Sequence, residues 1–304
     1  MDNNKVMIVG TGNVGASIAF ALLNQRTAIN EIVLTDIIAK DAEGEAMDLR
    51  DALAVAPSYV KISNGTYKDA KDCDVVVITA GAAQKPGETR MELLNKNANI
   101  LKGMVEQIME SGFNGIFLVV TNPMDVLTYL VWKFSGLPAE KVIGSGTVLD
   151  SARLKTRIAD YLRVNPKSIN AYQIGEHGDT ELTVWSKANA GGQKIEEMLD
   201  ADVRAGISEF VKNEAYDIIE KKGATYYGIA TCVAQILNCI FNDEMRILPV
   251  SSLDAFSDTY FGFPTVVGRE GAIRRIDLKL SEKEGILLQK SINALREAIS
   301  SVKI

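Results

Sequence analysis

Apolar positions along this chain fall into two kinds of pattern. Short, almost wholly apolar runs recur at Val6 to Val9, Asp74 to Thr79 and Ile116 to Val120. Their length and their β-branched residues predict strands buried on both faces. Glu31 to Thr35, a stretch near Val60 to Ser63 and the brief Val142-Ile143 add further strands. Between them lie stretches with helical periodicity, Ala16 to Leu23, Ala39 to Leu53, Met91 to Ser111 and Met124 to Phe134. Strands alternating with helices predict a parallel sheet covered by helices, an α/β fold.

The second half is less regular. Helices are predicted from Asp150 to about Leu162, from Val203 to Lys221 with Gly223 ending it, and from near Thr225 to Phe241. Short strands are expected at Ala171 to Ile174, Leu182 to Trp185, Ile247 to Ser251 and Thr265 to Val267. Ser281, with Glu284 three residues on, forms a capping box that opens a terminal helix to Ser300. The 304 residues suggest about two domains, 1–145 and 146–304, with a soft boundary because no flexible linker separates them.

Composition narrows the class. Hydrophobic residues at 47% and charged residues at 24% are ordinary for a protein with a sizeable core. A net charge of −6 argues against nucleic-acid binding. No run approaches the ~20 apolar residues of a membrane helix, and the first residues do not read as a signal peptide. Cys73, Cys232 and Cys239, widely spaced among apolar neighbours, read as reduced core thiols. A cytoplasmic protein is expected.

The first chemistry lies between the first strand and helix, in Gly10-Thr11-Gly12-Asn13-Val14-Gly15. The G-x-G-x-x-G spacing is weak alone, but strand before and helix after give it meaning. Gly10 would make the tight turn, Gly12 would admit a pyrophosphate to the backbone, and Gly15 would let helix and strand pack closely. Phosphates would then meet the helix N-terminus, with its unpaired N–H groups. Asp36 ends the second strand about twenty residues on, where a carboxylate accepts from a ribose 2′-hydroxyl and repels a 2′-phosphate. This predicts NAD rather than NADP; the plainer alternative is a helix-capping Asp. Gly81 and Ala82, after the Val75–Ile78 segment, and Asn122, after Val120, would line the same ligand side. The polar loop 82–90 resembles a P-loop only superficially, since Gly87 is followed by Glu88, and a mobile lid is the better reading.

His177, the only histidine, sits between glycines in Ile174-Gly175-Glu176-His177-Gly178-Asp179. Proton transfer near neutral pH would most naturally use it. Taken alone it reads more plainly as a surface or core residue. Asp150 and Arg153, three apart, share a face of a helix's first turn, where a surface ion pair is the simple alternative.

These pieces resemble the bacterial-type L-lactate dehydrogenases of the lactate and malate dehydrogenase family. VGTGNVGAS (9–17), ITAGAAQKPGETR (78–90), VTNPMDVLT (120–128), LDSARL (149–154), IGEHGDTEL (174–182) and KKGATYYGIA (221–230) stand in family order over essentially the whole chain. The resemblance implies a Rossmann domain, a doubly wound parallel sheet, followed by an α/β (α+β) substrate domain, and NAD-linked interconversion of pyruvate and L-lactate. It assigns His177 as general acid–base, Asp150 as its orienting carboxylate and Arg153 as the bidentate partner of the substrate carboxylate. Arg90 would arrive on the lid to polarise the carbonyl. Asn122 would bind the reacting oxygen and the cofactor, Thr225 would line the substrate side, and Ile229 would pack behind the nicotinamide.

Malate dehydrogenases place an arginine where this chain has Gln84, and the neutral residue suits pyruvate's methyl group. A larger 2-hydroxy acid, malate, or a non-catalytic NAD sensor remain the alternatives; a sensor would be expected to have lost at least one of His177, Asp150, Arg153 and Arg90. The resemblance further implies a homo-oligomer, dimer or tetramer, with Ala46 to Leu53 a candidate contact face. Many relatives respond to fructose 1,6-bisphosphate through an arginine and a histidine; Lys155 and Asn170 stand at those positions, so little response is expected.

Overall fold

The structure is a computed structural model that describes residues 4–82, 87 and 89–303, the side chain of Arg90 excepted. Gln84 and most of the expected lid lie outside the described residues. The first half runs β1 (Lys5–Val9), α1 (Asn13–Leu23), β2 (Glu31–Thr35), α2 (Ala39–Ala52), β3 (Lys61–Asn64), β4 (Val75–Ile78), α3 (Arg90–Glu110), β5 (Ile116–Val119), α4 (Met124–Ser135) and β6 (Val142–Gly144). These six strands pair in parallel, in the order β6-β5-β4-β1-β2-β3.

The pleat divides the apolar runs between two cores, as a period of two requires. Val6 and Ile8 of β1, with Val75 and Val77 of β4, join a cluster that includes Ile18 and Leu22 of α1 and Ala42 and Ala46 of α2. Met7, Val9, Val76 and Ile78 join the opposite cluster, with Leu101 and Val105 of α3 and Leu127 and Val131 of α4. Each fully buried branched side chain contributes ~1.5–3 kcal/mol. Such a sheet needs cover on both faces, and helices supply it.

The second half holds α5 (Val148–Leu162), β7 (Ile169–Asn170), β8 (Gln173–Ile174), β9 (Leu182–Thr183), β10 (Asn189–Ala190), β11 (Gln193–Lys194), the short α6 (Ile195–Met198), α7 (Ala201–Lys222) and α8 (Tyr227–Phe241). Then come β12 (Arg246–Leu248), β13 (Ser251–Asp254), β14 (Thr259–Gly262), β15 (Thr265–Gly268), β16 (Gly271–Arg275) and α9 (Glu282–Ser301). β13 pairs antiparallel with β6 and β14 with β13, so the main sheet has eight strands. The remaining strands form two three-stranded sheets and one two-stranded ribbon. α8 also buries Val233, Ile236, Leu237 and Ile240 in the same cluster as α1. Both halves therefore contribute to that cluster.

Several local expectations change. The single strand expected at Ile247 to Ser251 is two strands in different sheets, broken at Pro249, which has no N–H for a ladder. β14 and β16, short and bounded by glycines, carried too little periodicity to be predicted. The helix expected from Thr225 begins at Tyr227, leaving Thr225 in the connection from α7. Pro123 stands at the cap of α4, after a cis peptide bond. Arg90, expected on the lid, is the first residue of α3, whose cap is a Thr89–Glu92 box. The predicted capping box of the last helix is present, with Ser281 and Glu284 bonded reciprocally. All three cysteines are buried and unpaired, and no helix among the described residues is long and apolar enough to cross a membrane.

Candidate active site

The carboxyl ends of the parallel strands carry the expected nucleotide residues. Gly10 has φ +97°, and an added Cβ would meet the Ala80 nitrogen at 2.6 Å. A Cβ on Gly15 would stand 1.9 Å from the Gly10 carbonyl oxygen, so close helix–strand packing demands glycine there. Gly12, the N-cap of α1, makes no side-chain cap bond, and a Cβ would meet nothing within 4 Å. That leaves open space before N–H groups suited to an anion, with Asn13 and Val14 opening the helix behind it. Asp36 accepts from the Thr11 amide at 2.7 Å and hydroxyl at 3.1 Å through Oδ2, and from the Ile38 amide through Oδ1 at 3.1 Å. It is thus a loop-ordering acceptor as well as a carboxylate at a ribose position. The residues fit an adenine dinucleotide.

Asn97, not anticipated from the sequence, ties this rim together. Its amide accepts from the Ala82 N–H at 2.8 Å and donates to the Asn122 carbonyl at 3.2 Å. A Cβ on Gly81 would lie 2.4 Å from Thr121 Cγ2, so this rim is also tight. A single buried asparagine inside a helix gave no pattern to read.

His177 and Asp150 are brought together by the N-terminus of α5. Thr147 Oγ1 donates to the Gln173 carbonyl at 2.7 Å, and Gln173 N donates to Ser151 Oγ at 2.9 Å, pinning α5 to β8. β8 leads into Gly175, at φ +92°, where a Cβ would meet Ser291 Oγ at 2.7 Å. Past that turn the His177 amide donates to Asp125 Oδ2 at 2.7 Å. The ring then meets Asp150, with Nδ1 and Oδ2 at 2.7 Å. The other Asp150 oxygen accepts from Arg153 Nη1 at 3.0 Å. This is a buried pair, not a surface one: the two side chains are 2% and 8% exposed. Arg153 also turns Nε toward Glu214 on α7 at 3.6 Å, and shares a cavity of about 560 Å³ with Glu214 and Thr225. Ile229 lies on α8, packed against the core cluster that includes α1.

The electrostatics follow from that burial. The Asp150 carboxylate raises His177 to about 9, against a burial effect that would lower it. Burial alone would raise Asp150, but His177 and Arg153 hold it below the ordinary carboxylate range. Burial lifts Asp125 to about 7 despite bonds from Ser251 and the His177 amide. A charged imidazole is therefore favoured at neutral pH, oriented through Nδ1. Asp125 was missed because its partner is 52 residues away.

Fold and site together are those of a dehydrogenase that works with a nicotinamide dinucleotide. Residues 4–144 match the family model for the lactate/malate dehydrogenase NAD binding domain, and 147–303 match its alpha/beta C-terminal domain. The chain belongs to the lactate/malate dehydrogenase family. It is 49% identical over 312 residues to L-lactate dehydrogenase 2 of Bacillus cereus, covering 98% of each chain. It is 47% identical over 309 residues to L-lactate dehydrogenase 1 of Bacillus anthracis, again covering 98% of each. Among solved structures, the ligand-bound minor L-lactate dehydrogenase of Enterococcus mundtii matches with a TM-score of 0.97 at 42% identity, over 99% of this chain and 98% of that one. A lactate dehydrogenase from a Medee basin deep-sea metagenome library matches with 0.96 at 47% identity, over 98% of each.

Proposed function

We propose that this protein interconverts pyruvate and L-lactate with NAD, using His177 as general acid–base. The observation that carries this reading is the buried chain of contacts from His177 through Asp150 to Arg153. When bound, the nicotinamide donates or accepts the hydride. With Nδ1 committed to Asp150, Nε2 is the atom that gives a proton to the ketone oxygen, or takes one from the hydroxyl. Asp150 fixes the ring and stabilises the imidazolium. Arg153 keeps Nη donors for a substrate carboxylate beside the cavity that Thr225 lines, and its planar fork suits that acid. Arg90, at the head of α3, supplies positive charge where the carbonyl becomes negative. Asn122 meets the reacting oxygen and the cofactor, the neutral Gln84 suits the methyl group, and Ile229 backs the nicotinamide. Gly10, Gly12, Asn13, Val14, Gly15, Asp36, Gly81 and Ala82 hold the dinucleotide.

The same reading divides the chain into a cofactor domain to residue 145 and a substrate domain beyond it. It makes the protein a cytoplasmic homo-oligomer, dimer or tetramer, with neither nucleic acid nor membrane as partner. The test is NADH oxidation with pyruvate and a panel of larger 2-keto acids. Turnover is expected with pyruvate foremost. Absence of turnover with every acid would make this a cofactor-binding protein without the chemistry.

A further inference from the structure

Asp150 is not the only carboxyl group beside His177. Glu181, just before β9, brings a second one: oxygens of Asp150 and Glu181 and a ring nitrogen of His177 lie within 4.8 Å of one another. Glu181 Oε1 accepts from Gln173 Nε2 at 3.0 Å. Gln173 is 1% exposed, and its Oε1 has no hydrogen-bond partner among the described residues. Both residues line a cavity of about 480 Å³ together with Trp185, Ser208 and Arg204. That cavity has no lining residue in common with the one holding Arg153 and Thr225. Glu181 therefore lines a different cavity from the one beside Arg153.

We propose that Glu181 is a positioning residue for His177, a second titrating carboxyl coupled to the imidazole beside their shared neighbour Asp150. Its ionisation lets His177 keep its proton further into the alkaline range than Asp150 alone would allow. This rests on the reading of His177 as the acid–base. The charge balance gives the reason. With Glu181 neutral, Asp150 faces two cations, His177 and Arg153. When one proton leaves, loss from Glu181 keeps the imidazolium and completes two opposite pairs. Burial, reinforced by Asp150, moves Glu181 up to about 8, next to the range of His177 at about 9, so the two groups titrate as a pair. The other charges facing the pair are few on each element: Asp125 on α4, Arg153 on α5, Glu214 on α7 through Arg153, and Glu176 in the loop itself. Glu196 on α6, Arg204, Glu209 and Lys212 on α7, and Lys283 and Glu284 on α9 stand around the rear cavity.

Because His177 is the only histidine, one imidazole resonance of the isotope-labelled protein reports it alone. In the unaltered protein its shift should follow pH in two steps above the minor one that Asp125 adds near 7. In Glu181→Gln one of those two is lost and the other lies at a pH lower by about half a unit or more, while Glu181→Asp keeps both. The alkaline limb of kcat/KM for pyruvate should move with the resonance, so that the difference between the proteins grows with pH. Superimposable titrations of the unaltered protein and Glu181→Gln would overturn the proposal. If Glu181→Gln does not fold, a single step above that of Asp125 in the unaltered protein does the same. A resonance that moves while the rate limb stays would instead overturn the role of His177.

Discussion

His177 and Asp150 stand 27 positions apart in the chain and meet at 2.7 Å, Nδ1 to Oδ2, with the carboxylate buried and the ring partly open. Pyruvate reduction needs the protonated ring, whose folded pKa is raised to about 9. kcat/KM for pyruvate should therefore be level through neutral pH and fall as pH rises through that region, while lactate oxidation rises. His177→Asn should remove the limb and lower the rate by several orders of magnitude. Asp150→Asn should move it toward the ordinary histidine range near ~6.5 and, by leaving Arg153 buried without this partner, cost about 3 kcal/mol of stability. pH–rate profiles and thermal unfolding check both; near-normal turnover in His177→Asn would disprove its role.

Arg153→Lys keeps the charge and loses the fork. A lysine cannot meet Asp150, approach Glu214 and bind a substrate carboxylate at two points. KM for pyruvate should rise about a hundredfold, or by ~2–3 kcal/mol. An unchanged KM would place substrate binding elsewhere.

Gln84 bears on the choice of acid. A second substrate carboxylate would be desolvated without a partner, so kcat/KM for pyruvate should exceed that for oxaloacetate by at least about a hundredfold. Gln84→Arg should narrow that ratio or reverse it. Steady-state rates with both acids decide the matter, and comparable values in the unaltered protein would sink the lactate assignment.

Gly12 and Gly15 separate cofactor binding from folding. Space is open at Gly12 and closed at Gly15. Gly15→Ala should lower Tm by several degrees. Gly12→Ala should leave Tm nearly unchanged yet weaken NADH by about tenfold or more, since a methyl would stand where the pyrophosphate approaches. Thermal scans beside NADH fluorescence titration separate the two effects.

Lys155 is partly buried, and burial together with the nearby Arg246 charge lowers its pKa; Asn170, on β7, is neutral. Fructose 1,6-bisphosphate at millimolar concentration should change KM for pyruvate by less than about twofold, because a charge-assisted phosphate contact is missing from Asn170. Initial rates with and without the effector test this, and a several-fold fall in KM would show a working site.

Local sequence determined much of this protein. A strand and a helix are short-range structures, so the β-branched runs of β1, β4 and β5 and the capping box at Ser281 were legible at once. So were Gly10, Gly15 and Asp36, which fall at fixed spacings along one strand–helix–strand unit. Asp150 and Arg153 could be paired from their spacing on one helix turn. Only the tertiary structure decided that this pair is buried, that Glu214 stands on the far side of Arg153, and that Asp125 receives the His177 amide. The same holds for Asn97 joining two loops and for β13 and β14 extending a sheet begun in the first half. Those contacts join residues distant in sequence, and no periodicity records them. Glu181 lies only four positions from His177, yet its meaning depends on Asp150 and Gln173 closing around it. Burial there sets the charge of each group, and burial belongs to the packed chain as a whole.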